Sequence, residues 1–60
     1  MEEHHYIKVE EGASYHEVRL CCQAIKKCET IAWFIDIKEA QEYAQRKAAE
    51  LNVKVKHVKE

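Results

Sequence analysis

The stretch Ala13 to Glu29, ASYHEVRLCCQAIKKCE, decides the fold, because two periodicities fit it. Read as a helix, Ser14 and Glu17 form a capping box, and Val18, Cys21, Cys22, Ile25 and Cys28 share one face. His16, Arg19, Gln23, Lys26 and Lys27 then make a polar arc. Read as a strand, Val18, Leu20, Cys22 and Ala24 point one way, while Glu17, Arg19, Cys21 and Gln23 point the other. Turn chemistry also divides. Glu10-Glu11-Gly12-Ala13-Ser14 suits a hairpin loop in which Gly12 accepts positive φ. Ile25 to Thr30, however, holds no Gly, Asn, Asp or Pro for a second hairpin, which argues for a helix over 15–28. The run Glu-Val-Arg-Leu-Cys-Cys is better as strand.

Downstream the signals are firmer. Ile31-Ala32-Trp33-Phe34-Ile35 is short, β-branched and aromatic, and reads as a central strand with Ile31, Trp33 and Ile35 on one side and Ala32 and Phe34 on the other. Both sides are apolar. Asp36 stands at a helix N-cap with Glu39 three residues on, so a helix is predicted from about Ile37. Ile37, Ala40, Ala44, Ala48 and Leu51 fall on one narrow stripe, bordered by Tyr43, and the alanines allow close approach to a sheet. Lys38, Glu42, Arg46 and Glu50 form an i, i+4 ladder of alternating charge, read as a solvated face. Asn52 suits a left-handed C-terminus. Upstream, His5 to Glu10 alternates as a half-buried strand. Val53 to Val58 alternates as a last strand, predicted parallel to the one at Ile31 because a helix intervenes.

The sequence Phe34, Asp36, Glu39-Ala40, Tyr43-Ala44 resembles small bacterial and phage domains of unknown function that place a β-meander before one helix. The likeness covers roughly half the chain. It carries no functional residues across, and what it implies is a fold. With the strand composition of Glu17 to Cys22, it selects a two-layer α+β domain, β-β-β-α-β, with one helix on a small mixed sheet. The alternative is an α/β arrangement, β-α-β-α-β.

The 60 residues make a single domain, 1–60, with one glycine and no proline to suggest a linker. At this size only about 60% of the unfolded chain's surface is buried, so a second copy or partner would relieve a small core. Ten Lys and Arg against eleven Asp and Glu give a net charge of −1, which builds in no global attraction to nucleic acid or anionic membrane. No apolar run approaches the roughly 18 residues of a membrane helix, and Met1-Glu2-Glu3-His4-His5 lacks the positive start of a signal peptide. A cytoplasmic protein is expected. Cys21, Cys22 and Cys28 are odd in number with two adjacent, a poor disulfide framework, and are expected to be reduced.

His4, His5, His16 and His57 with three cysteines invite a zinc site, but adjacent Cys21 and Cys22 diverge and no C-x-x-C turn is present. Small buried cysteines explain them better, and no metal or cofactor is expected. Nucleophilic catalysis by Cys22 or Cys28 needs a lowered pKa and a pocket that 60 residues have little room to build, so no catalytic residue is assigned. The fold leaves the sheet face opposite the helix open. Its candidate interface residues are Tyr6, Lys8, Arg19, Cys21, Trp33, Lys54 and Lys56, around an apolar patch from the strand at Ile31. The expected function is a non-enzymatic protein-interaction module, as a homodimer or docked on a partner protein. The alternative is single-stranded nucleic-acid binding by the same aromatics and cations, opposed by Glu10 and Glu17 on that face.

Overall fold

Residues 13–29 form a hairpin, not a helix. The computed structural model describes residues 4–59, with three strands, β1 (His5–Glu11), β2 (His16–Cys22) and β3 (Lys27–Phe34), then helix α1 (Ile37–Leu51) and strand β4 (Lys54–Lys59). The β-β-β-α-β order is the one expected. The turn that the sequence lacks is made at Gln23–Lys26, where Lys26 takes φ 53°. A left-handed lysine costs about 1–2 kcal/mol. It is offset by continued pairing, in which Gln23 N–H donates to the His4 carbonyl at 2.6 Å, and by a covalent bond across the same turn. That bond corrects the reading of the cysteines: Cys21 and Cys28 form a disulfide and Cys22 is the free thiol. Antiparallel pairing sets Cys21 and Cys28 directly opposite, with Cα atoms 4.0 Å apart. Gly12, expected at positive φ, does not use it.

The sheet order is β3-β2-β1-β4, with β1 antiparallel to β2, β2 antiparallel to β3, and β4 parallel to β1. β4 therefore runs in the same direction as β3, as expected, but at the opposite edge with two strands between them. β3, expected to be central, is an edge. The apolar residues on both of its sides, which suggested burial, include Trp33 at 64% exposure. Its alternation is also broken, because Val18 faces Ala32 while Arg19 faces Thr30, leaving Ile31 as an extra residue in a β-bulge. Ile31 and Ala32 both pack toward the core, so Ile31 parts company with Trp33.

The core lies between the sheet and α1. Ile7, Val9 and Val18 pack under Ala40, Ala44 and Ala48, with Leu20, Phe34, Leu51 and Val55 around them. Methyl side chains on the helix let its backbone approach the sheet, which is why the buried stripe is alanine. Asp36 caps the helix by accepting from Lys38 N–H at 2.9 Å, and Asn52 ends it at φ 59°, ψ 50°. On the polar face Glu50, the last member of the expected ladder, pairs with Lys47 at 3.1 Å, an i, i+3 contact to a residue outside that ladder. That hydrogen bond and charge raise the Lys47 ammonium above its usual range. No helix among the described residues is long and apolar enough to cross a membrane. The signal-peptide reading concerns Met1 to Glu3 as well, which lie outside the described residues.

Candidate functional site

Residues directly opposite in neighbouring strands share a face, so the register fixes what the open side of the sheet presents. Three cross-strand rows emerge. The first is Lys54, Tyr6, Cys21 and Cys28. The second is Lys56, Lys8, Arg19 and Thr30. The third is Val58, Glu10, Glu17 and Trp33. All seven residues expected at the interface lie on this side. Cys21 is corrected in one respect: it is 1% exposed, sealed by its bond to Cys28, and forms floor instead of contact surface.

The rows are wired together by charge. Lys8 and Arg19 both reach Glu10, at 3.3 and 3.6 Å, and the Thr30 hydroxyl donates to Glu17 at 2.7 Å. The Lys56 ammonium sits 4.5 Å from the centre of the Tyr6 ring, a cation–π contact. Long alkyl stems thus lie flat over the central strands while their charged ends are shared. The middle of the face is consequently polar, where an apolar centre was expected.

The apolar patch is displaced to one corner. Tyr15 meets Trp33 edge-on, with centroids 6.2 Å apart at 70°. Together with Ile35, Ser14, Glu17 and Thr30 they line an open cleft of about 570 Å³. Tyr15 and Ile35 are 48% and 71% exposed. Ile35 was expected beside Trp33; Tyr15 was not singled out in the sequence. Tyr15 sits just before β2, where period-two reasoning assigns no face; the available signal was a large apolar residue flanking a turn.

A second concavity lies on the other side of the sheet, between α1 and β4. It is an open groove of about 840 Å³, floored by Val9 and Val55 and rimmed by Lys38, Gln41, Glu42, Gln45, Arg46 and His57. His57 Nε2 lies 2.9 Å from Glu11 Oε2, and its Nδ1 lies 3.3 Å from Gln41 Nε2. In the neutral ring these contacts select the Nε2–H tautomer, which donates to the carboxylate and accepts from the amide. Among the described residues, no three His, Cys, Asp or Glu side chains converge as a metal-ligand set.

No protein-family model, curated protein or solved structure matches this chain.

Proposed function

We propose that the chain is a non-enzymatic protein-interaction module that self-associates through the sheet face opposite α1. The observation that carries this reading is the Tyr15–Trp33–Ile35 corner, a cluster of aromatic and aliphatic anchors held in water at the rim of an ordered face. Trp and Tyr are the side chains that contribute most when buried at interfaces. Charge supports a second copy as the occupant. A two-fold axis in the interface, perpendicular to the strands and between the second and third rows, sets Lys8 against Glu10 of a second copy. The same operation sets Arg19 against Glu17 and Trp33 over Thr30. The other in-plane axis, parallel to the strands, brings Lys8 onto Arg19 and Glu10 onto Glu17, which repel. Because the pairs stay partly wet, the dimer belongs with the small, transient interfaces. The proposed place of work is the cytoplasm, and against it stands the Cys21–Cys28 bridge, which is of the kind that persists in an oxidising compartment.

Light scattering tests it. The wild-type molar mass is expected to rise toward that of two chains as concentration increases through the high-micromolar range, corresponding to about −4 to −5.5 kcal/mol. Trp33→Ala is expected to stay monomeric at every concentration while melting within a few degrees of wild type, since an exposed side chain contributes little to folding. A wild-type chain that remains a monomer sinks the homodimer.

The Tyr6–Lys56 stack, next to Lys54, Lys8 and Arg19, supports a second reading: a platform for single-stranded nucleic acid. Glu10 stands against it by engaging two of the four cations. Fluorescence anisotropy with short single-stranded RNA and DNA decides between them, a salt-sensitive rise favouring the nucleic-acid platform.

A further inference from the structure

We infer a second binding surface, independent of the Trp33 corner: the free edge of β4, which is built to accept an extended peptide strand of alternating acidic and apolar residues. Three features converge there. First, β4 pairs with β1 on one side only, in an unbroken parallel register from Tyr6–Lys54 to Glu11–Lys59. Its other side presents backbone N–H and C=O groups with regular spacing, the template for adding a strand. The opposite edge, β3, lacks this regularity because Ile31 bulges out of its ladder.

Second, the two sides of β4 differ in the way an alternating peptide requires. Toward the open face it shows Lys54 and Lys56, two residues apart, neither of which forms a salt bridge with a carboxylate among the described residues. An added strand places every second side chain beside them, and carboxylates there meet opposite charge. Toward the helix, α1 stops short of covering β4, which leaves the 840 Å³ groove over Val9 and Val55. The intervening side chains of the same strand point to that side, where apolar groups find the half-buried Val55 and the alkyl stems of the rim.

Third, the groove rim adds charge of the same sign. Lys38 and Arg46 outnumber Glu42, while the Glu11 carboxylate is already occupied by His57. An acidic strand is attracted from both sides. Lysines on an edge also discourage pairing between like copies, so the feature that keeps this edge from self-association leaves it open to a partner of opposite charge.

The probe is the fluorescein-labelled peptide Glu-Val-Glu-Val-Glu-Val-Glu, titrated into the full chain at low salt and followed by anisotropy and by backbone amide shifts. The expected result is shifts concentrated at 54–58, with Val9 and Gln41 responding. Binding should weaken at least about tenfold in K54E/K56E, at roughly 1.4 kcal/mol per decade. It should vanish when alternate peptide amides are N-methylated, since those are the donors an added strand needs. Trp33→Ala should bind the peptide as wild type does, which separates this surface from the dimer face. Shifts confined to the Tyr6, Lys8 and Arg19 rows, equal binding by the N-methylated peptide, or no binding at millimolar peptide would each overturn the inference.

Discussion

Ile7→Ala is expected to remove about 3–4 kcal/mol, most of the chain's stability at 25 °C. Ile7 is completely buried, opposite Leu20 on one side and Val55 on the other, beneath the alanine stripe of α1. Truncating such a residue removes its transfer free energy and opens a cavity, together about 3–4 kcal/mol. A domain of this length has about 3–9 kcal/mol in total. This one belongs in the lower half of that range, because its fully buried large side chains among the described residues are only Ile7, Val9, Val18 and Cys21. The fully buried helix residues are Ala40, Ala44 and Ala48, whose methyl groups cannot extend into the gap. Urea titration followed by circular dichroism measures the effect. Ile35→Ala, at a position 71% exposed, serves as the comparison and should change stability by no more than about 0.5 kcal/mol. A loss below about 1.5 kcal/mol at Ile7 would show that the two layers close over the cavity.

The second large effect is expected from reduction of Cys21–Cys28. The bridge closes a short loop, with a sequence separation of 7, and chain-entropy reasoning gives it about 2.5 kcal/mol. For a domain of this size that corresponds to a melting temperature lower by roughly 10–20 °C. The consequence should be local as well as global, since the bridge spans the one turn that requires a left-handed lysine and ties the edge strand β3 to β2. Thermal melts with and without a phosphine reductant, repeated on a Cys21→Ser/Cys28→Ser chain, report it. The reduced wild type and the double variant should agree. Equal melting temperatures for oxidised and reduced protein would mean that the hairpin holds its register without the bond.

The parts of this structure that sequence could reveal are those set by local rules. The helix is one: Asp36, the alanine stripe and Asn52 each act within a few residues, and each does in space what its chemistry predicts. The common side of Tyr6, Lys8, Arg19, Lys54 and Lys56 is another, because alternation along a regular strand is a property of the backbone. What was hidden depends on which strands meet. Ile31 to Ile35 looked central because it is apolar on both sides. Only the strand order shows that its outward residues, Trp33 and Ile35, are left in water. The disulfide was hidden for the same reason, since an adjacent Cys21-Cys22 pair conceals that just one of them faces Cys28. Lys26 at positive φ shows a hairpin forming where turn residues are missing, long-range pairing having outweighed a local cost. The aromatic corner needed both the edge position of β3 and the loop position of Tyr15 to become visible.

The central claim is that Trp33 is exposed in the single chain and becomes covered by a second copy. Trp33 is the one tryptophan of the sequence, so its fluorescence reports on this position alone. The most direct measurement is acrylamide quenching of that emission as protein concentration is raised from about 1 µM to about 1 mM, the span of affinities open to a small interface. Quenching that is efficient in dilute solution and falls several-fold on concentration is the predicted result. A tryptophan equally accessible across the whole range would contradict it.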